Sequence, residues 1–319
     1  MMGDGPPIVA VANLKGGVGK STTALMLAEG LAYRYGLNIL LADFDAQANL
    51  SETLLTSDGV QRELNQGRGV AAVLDHFLPL SEQKNLSLKD VVETRNSTVV
   101  EELVSKHERD KPGGWISLLP AHPGMRFLEP HLERSPGEGW FEIGDDLAER
   151  FLDATALARS RADLVIIDCP PHVSALCRAA LKLAHYYVTP TLAEALSVWG
   201  VHQFLRWLAH PSMSGWLGVT PSSIPTRQFV VCTRFSARSR SHKRTLDTLR
   251  DDWHGRAFSD PVRQRLSLSR DLERRELDST HGFGGRYRGQ VKSDVLALAD
   301  AFTGFMTARA GVSWARPGY

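Results

Sequence analysis

A run rich in glycine and lysine lies between two apolar segments near the start of the chain. The run reads KGGVGKST over residues 15 to 22, and the apolar segment before it spans residues 8 to 11. Residues 23 to 33 carry apolar side chains with the period of a helix. A strand, a glycine-rich loop and a helix in this order form the phosphate-binding loop of nucleotide-binding α/β proteins. The run therefore constrains the fold strongly and predicts a nucleoside triphosphate as the ligand.

The residues of this loop have separate predicted tasks. In the general pattern G-x-x-x-x-G-K-[ST], backbone N–H groups surround the phosphates, the lysine reaches the β and γ oxygens, and the hydroxyl ligates magnesium. Leu14 stands where the first glycine is expected, and a second lysine, Lys15, lies just inside the loop. The predicted nucleotide-binding residues are Lys15, Gly16, Gly17, Val18, Gly19, Lys20, Ser21 and Thr22.

Aspartates follow two other apolar runs and could complete a phosphate site. Residues 38 to 42 (NILLA) precede Asp43 and Asp45, and residues 164 to 167 (LVII) precede Asp168. An aspartate at a strand end is often only a cap or turn residue, but ligands bind at the carboxyl ends of strands in doubly wound sheets. We expect Asp168 to hold magnesium through water, Asp43 to be a supporting ligand or hydrogen-bond partner, and Asp45 to orient the attacking water. The predicted metal site consists of Ser21, Asp43 and Asp168.

The motifs resemble those of the ParA/MinD group of deviant Walker A ATPases, and within it the ParA-type partition ATPases. Five segments spread over most of residues 7 to 310 carry the resemblance. Ala46 and Ala48 stand where the family usually has proline and glycine, which puts the stiffness of this switch loop in question. The five segments are KGGVGKST (15 to 22), DFDAQAN (43 to 49), LVIIDCPP (164 to 171), VVCTRF (230 to 235) and DPVRQRLSLS (260 to 269).

The resemblance implies a function and roles for single residues. Lys15 would be the signature lysine, which in the family crosses an ATP-bound dimer to touch the partner subunit's nucleotide. Asp45 would be the hydrolysis aspartate and Asp168 the Walker B residue, so the expected catalytic residues are Lys15, Lys20 and Asp45. The implied cofactors are ATP and Mg²⁺, and the implied partners are a second copy, nonspecific DNA and a ParB-like protein that stimulates hydrolysis. The cargo, a chromosome, a plasmid or a protein assembly, is set by that partner.

Length and composition are those of an α/β protein with a large core. The chain has 319 residues, of which 43% are hydrophobic and 23% charged. We predict one domain, 1 to 319, built on a mostly parallel twisted sheet flanked by helices, because a boundary between residues 22 and 168 would split the site. Residues 52 to 111 are expected to form exposed helices and loops, with helical patterns at 70 to 77 and 86 to 92. No leader or membrane span is recognisable, which predicts a cytoplasmic protein. Association with the nucleoid is implied by the family resemblance alone.

Positive charge is concentrated in the second half of the chain. Residues 1 to 150 contain 14 Lys/Arg and 22 Asp/Glu, which leaves 37 − 14 = 23 and 36 − 22 = 14 for residues 151 to 319. The basic half is a candidate nucleic-acid surface. Its densest stretch, residues 227 to 250, has seven basic residues and one acid, and its alternative interpretation is a solvated helix face. The predicted DNA contacts are Arg234, Arg238, Arg240, Lys243 and Arg244.

Three alternative functions remain open. A membrane-attached positioning ATPase like MinD would carry basic residues along a C-terminal amphipathic helix, whereas the apolar pattern of residues 295 to 306 favours core packing. A metal-cluster or metabolic ATPase would need ligands, but Cys169, Cys177 and Cys232 are isolated and are expected to be small buried residues. His172 could sense the γ-phosphate, although a plain loop histidine is favoured. The third alternative is a binding module without catalysis.

Overall fold

The computed structural model describes residues 5–65, 69–70, 114–121, 125, 140–253, 260–263, 283 and 287–315. The elements are numbered over these residues. The strands are β1 Ile8–Val11, β2 Ile39–Asp43, β3 Ile116–Leu119, β4 Leu164–Asp168, β5 Tyr186–Leu192 and β6 Gln228–Thr233. The helices are α1 Lys20–Tyr35, α2 Asn49–Asn65 with a kink at Thr56, α3 Trp140–Ala154, α4 Ala156–Ser160, α5 Ala175–Leu183, α6 Ala195–Leu208, α7 Pro211–Trp216, α8 Arg240–Asp252 and α9 Gly289–Ala310.

The six strands form one sheet in the order β3-β2-β4-β1-β5-β6, and every described pair is parallel. The register places Val11, at the end of β1, beside Asp168 of β4. Asp168 in turn lies beside Asp43, the last residue of β2. The sheet therefore brings the phosphate loop and the two predicted carboxylate sites to one edge, and the predicted fold class is confirmed.

The core has two layers, one on each face of the sheet. Ile8 and Ala10 of β1 belong to a cluster with α3, α5, α6 and α8, whereas Val9 and Val11 pack with α1 and α9. This alternation follows from the two-residue period of a strand, and burial on both faces explains why the strand sequences are apolar throughout.

Helix α9 packs closely against α1. A Cβ atom added to Gly30 of α1 would lie 3.1 Å from Val295 Cγ1 and 3.2 Å from Ala299 Cβ, so this glycine permits the close approach of the two helices. Phe302 and Met306 are fully buried in the same layer. The prediction that the C-terminal helix packs into the core is therefore confirmed. In the described part of the chain, no helix combines the length and apolarity that crossing a membrane requires.

The predicted elements agree with the structure, with shifts of a few residues. The sequence pattern of residues 141 to 159 predicts one continuous helix, but the structure divides it at Thr155. The Thr155 hydroxyl donates to the Phe151 carbonyl oxygen, and the residue separates α3 from α4. The predicted helices at 70 to 77 and 86 to 92 lie outside the described residues except for Val70. Residues 264 to 269 of the last family segment also lie outside them.

Candidate nucleotide-binding site

The phosphate loop connects β1 to α1 with a backbone that requires glycine. Gly17 has φ 71° and Gly19 has φ 88°, both in the left-handed region that other residues enter only with strain. Gly19 is the residue before α1, and no side chain caps this helix. The N–H groups of the first helical turn have no partners inside the helix, and the helix dipole favours an anion there. The loop is therefore shaped as a cradle for phosphate oxygens.

Two side chains outside the motif hold this loop to the sheet. The Asn13 side chain accepts from the Lys15 backbone N–H at 2.9 Å and donates to the Pro190 carbonyl oxygen of β5 at 2.8 Å. The Thr233 hydroxyl, at the end of β6, donates to the Val18 carbonyl oxygen at 2.7 Å. Sequence reasoning missed both residues; the available signal was a polar side chain directly after an apolar run.

Lys20 turns back over the loop that precedes it. Its side chain is buried, and its ammonium lies 3.4 Å from the Lys15 carbonyl oxygen. Within the described residues the Lys20 ammonium makes one long hydrogen bond, and a buried ammonium of this kind is well suited to meet the charge of a bound phosphate.

Asp168 is the least satisfied polar group of the site. It is fully buried, and within the described residues neither carboxylate oxygen has a partner that meets the geometric limits of a hydrogen bond. Burial raises the pKa of Asp168 well above its usual value, the Asp43 carboxylate adds to this, and the nearby Ser21 hydroxyl and Lys20 ammonium oppose it. Mg²⁺ prefers oxygen ligands and keeps several of its waters. An unpartnered carboxylate next to a P-loop hydroxyl fits that ion.

Asp43, by contrast, uses both oxygens within the chain. One accepts from the Asp45 backbone N–H at 3.1 Å, and the other accepts from the Ser51 backbone N–H at 2.9 Å and the Ser51 hydroxyl at 2.7 Å. Burial raises the pKa of Asp43 to about 7 against these hydrogen bonds. Of the two roles predicted for Asp43, the geometry favours the hydrogen-bond partner that shapes the switch loop. Direct metal ligation stays a prediction.

Asp45 begins a tight turn in the switch loop. Its Oδ1 accepts from the Gln47 backbone N–H at 2.9 Å, and its carbonyl oxygen accepts from the Ala48 N–H at 2.8 Å. Ala48 has φ 55°, a conformation that costs a residue with a Cβ atom roughly 1–2 kcal/mol. The glycine usual in the family would avoid this cost, so the Ala48 departure strains the switch loop rather than loosening it.

Lys15 reaches away from the cradle to the start of α6. Its ammonium donates to the Ser197 hydroxyl at 2.6 Å and lies 3.5 Å from Glu194 Oε2. Neither Glu194 nor Ser197 was singled out in the sequence, because α6 and the strand before it were not predicted.

The remaining predicted groups lie around this site or beside it. His172 is exposed in the loop after β4, so a sensor role stays a prediction. The three cysteines are buried free thiols, as expected.

The predicted DNA-binding residues lie on α8 and the loop before it. All five are exposed, and within the described residues none of them forms an ion pair. The opposite face of α8 is buried through Leu246 and Leu249. Arg234 directly follows Thr233, which holds the phosphate loop, so the basic surface begins next to the nucleotide site. DNA contact stays a prediction.

Fold and site define the class of the protein as a P-loop nucleotide-binding protein. The AAA domain family (AAA_31) matches residues 7–211. The chain belongs to this family, and its predicted membership of the ParA/MinD group of P-loop ATPases is confirmed.

Relatives of the chain include partition proteins at modest identity. The chromosome-partitioning ATPase Soj of Thermus thermophilus is 33% identical over 200 residues, which cover 63% of this chain and 60% of that protein. The virulence plasmid ParA family protein pGP5-D of Chlamydia trachomatis is 25% identical over 264 residues, or 82% and 81% of the two chains. The chain spans only 43% of a Sinorhizobium fredii relative, which is 27% identical over 201 residues.

Solved structures share the fold. Apo McdA of Cyanothece superposes with a TM-score of 0.64 at 15% identity, covering 93% of this chain and 99% of that one. A plasmid partition protein of Borrelia burgdorferi bound to AMPPNP gives 0.62 at 17% identity, covering 93% and 98%. Cobyrinic acid a,c-diamide synthase of Mycobacterium smegmatis with ADP and magnesium gives 0.60 at 22% identity, covering 98% and 100%.

Proposed function

We propose that this chain is a ParA-like ATPase that dimerises on Mg-ATP and binds DNA nonspecifically. A ParB-like partner stimulates hydrolysis, and the cycle segregates or positions a chromosome, a plasmid or another cargo. The observation that carries the proposal is the Asp168 carboxylate, whose oxygens accept no hydrogen bond within the described residues. This carboxylate is aligned with the end of β1 and adjacent to a phosphate loop with a second lysine. Relatives described as partition proteins support the cellular role.

The residues of the site have separate roles in binding and hydrolysing ATP. Lys20 and the loop N–H groups would bind the β and γ phosphate oxygens, while Ser21 and Asp168 would hold Mg²⁺. The bound ion would supply charge neutralisation at the transferring phosphoryl group. Asp45 orients the attacking water: its Oδ1 is fixed by the Gln47 N–H, and its Oδ2 makes no hydrogen bond within the described residues. Lys15 of one subunit adds positive charge to the nucleotide of the other.

Nucleotide binding would control DNA affinity through assembly. A single subunit offers five exposed basic side chains around α8, and a dimer doubles this surface. Since affinity for DNA rises steeply with the number of phosphates neutralised, the dimer binds where the monomer does not.

Three measurements on the purified protein test the proposal. Phosphate release should require ATP and Mg²⁺ and should stop with EDTA. Light scattering should give twice the monomer mass with Mg-ATP but not with Mg-ADP. Duplexes of unrelated sequence should bind equally, and only in the ATP state. If the protein releases phosphate but neither dimerises nor binds DNA, it is an ATPase with a different function.

The membrane-attached and metal-cluster alternatives have separate readouts. Helix α9 is packed against α1, so a MinD-like helix would have to leave the core to reach a bilayer. Sedimentation with anionic vesicles, with and without ATP, tests this alternative. Iron and sulfide analysis of anaerobically purified protein tests the other.

A further inference from the structure

Lys15 is held within its own subunit by two residues at the start of α6. We propose that Glu194 and Ser197 are positioning residues that keep the Lys15 ammonium withdrawn until a second copy with its nucleotide displaces it. We call Lys15, Glu194 and Ser197 together the lysine latch. The proposal rests on the proposed function, because it assigns a resting place to the residue that would cross the dimer.

The latch is built from both backbone and side-chain contacts. The Ser197 hydroxyl accepts from the Lys15 ammonium at 2.6 Å and lies 3.4 Å from Glu194 Oε2, so one hydroxyl joins the lysine and the carboxylate. Asn13 fixes the Lys15 backbone to Pro190 of β5, the strand that leads into α6. The lysine is therefore attached at two points to one strand-to-helix connection.

Glu194 has the position of a helix cap but does not act as one. It is the residue before α6, yet its side chain makes no capping hydrogen bond. Its carboxylate lies instead beside the Lys15 ammonium. Helix α6 therefore lacks the side-chain N-cap hydrogen bond that commonly stabilises a helix, and the Glu194 carboxylate lies where its negative charge attracts the Lys15 ammonium.

Burial indicates which contact is stronger. The Lys15 and Glu194 side chains are 38% and 55% exposed, and exposed ion pairs contribute little. Ser197 is fully buried, and a charge-assisted hydrogen bond to a buried hydroxyl is stronger. We expect loss of the Ser197 hydroxyl to shift the balance between held and released lysine by about tenfold, and loss of the Glu194 charge to shift it less.

The first test measures how readily the Lys15 ammonium reacts in the nucleotide-free protein. Wild type, Ser197→Ala and Glu194→Gln are treated briefly with an amine-acylating reagent, and labelling at Lys15 is measured by mass spectrometry relative to exposed Lys243. Both variants should label Lys15 several-fold faster than wild type. Glu149→Gln, the same change at an exposed site on α3, should label like wild type. Unchanged labelling in both variants overturns the proposal.

The second test measures the dissociation constant of the dimer at saturating Mg-ATP. Because two latches open for each dimer, Ser197→Ala should lower the dimer dissociation constant by about 100-fold, the square of the effect on one lysine. An unchanged or higher constant overturns the proposal. If wild type and variants stay monomeric while the labelling result holds, the latch stands and the proposed dimer function fails.

Discussion

Asp43 and Asp168 lie side by side in the sheet, both fully buried, yet only Asp43 has its oxygens satisfied by the chain. The difference arises because the Asp45 N–H of the switch loop and Ser51, in the first turn of α2, both donate hydrogen bonds to Asp43. Asp168 receives no such contact within the described residues and remains available for an ion. Two aspartates at equivalent strand ends are thus a structural anchor and a candidate magnesium site.

Replacing Lys20 should abolish ATP binding. Lys20→Gln keeps much of the length of the side chain but removes the charge that meets the β and γ oxygens, so we expect affinity to fall by roughly 100-fold or more. Isothermal titration calorimetry measures the affinity of each protein for ATP. Lys243→Gln removes one exposed ammonium on α8 and serves as the control. Near-normal affinity of Lys20→Gln would refute the cradle.

Replacing Lys15 should separate binding from assembly. Lys15→Ala leaves Lys20 and the loop N–H groups in place, so ATP still binds, but the dimer and stimulated hydrolysis disappear. A cation supplied in trans can contribute up to about 10³–10⁵ in rate, which sets the upper limit of the expected effect. Stimulated phosphate release at the wild-type rate would show that Lys15 does not act across a dimer.

Removing the Asp45 carboxylate should trap the ATP-bound dimer. Asp45→Ala eliminates the group that orients water but keeps the contacts to phosphate and magnesium, so turnover should fall by about 10²–10⁴. Gel filtration with Mg-ATP should show a persistent dimer. Asp58→Ala, at an exposed site on α2, is the control. Undiminished turnover would transfer the role to Asp43 or another group.

Removing three arginines should weaken DNA binding uniformly across sequences. For Arg238, Arg240 and Arg244 replaced together by Ala, log affinity should fall less steeply with log salt, by roughly 0.9 for each DNA phosphate that the protein no longer neutralises. Hydrolysis without DNA should persist. The control removes the same charge from exposed sites elsewhere, at Arg62, Arg206 and Arg309. An unchanged salt slope would identify the α8 surface as an ordinary solvated face.

Acid should destabilise the fold through His185. Its Nδ1 accepts from the Ile8 N–H at 3.0 Å, and burial together with the Arg227 charge lowers the pKa of this imidazole below 6.5. The unfolded state then binds more protons, so the free energy of unfolding decreases as pH falls from 6.5 through the lowered pKa.

The measurement is thermal unfolding of the nucleotide-free protein between pH 7.5 and 5.5. His185→Asn can keep an acceptor for the Ile8 N–H but does not titrate, so its melting temperature should fall less than that of wild type over this range. Equal falls would assign the acid sensitivity to other groups.

The phosphate loop, the Asp168 site and five of the six strands could be predicted from local pattern, since the apolar runs of residues 115 to 120 (WISLLP) and 230 to 235 (VVCTRF) also predict β3 and β6. These segments are either continuous apolar runs or motifs whose backbone geometry depends on glycine. Strand β5 and the helix that follows it, α6, could not be predicted in this way. Pro190 and several polar or aromatic residues interrupt the apolar pattern of the strand. Pro190 is tolerated because it lies beyond Val188, the residue of β5 that pairs with the last residue of β1.

By itself, the sequence determined the phosphate-loop motif and the strand ends at which this loop and the aspartates meet, since strand ends and glycine conformations are encoded locally. Only the tertiary structure decided that Asn13 and Thr233 hold the loop, that Ser51 satisfies Asp43, and that Ser197 holds Lys15. These contacts join residues from different strands and helices, and Lys15 and Ser197 are 182 positions apart. Such contacts depend on strand order and register, which no local pattern contains.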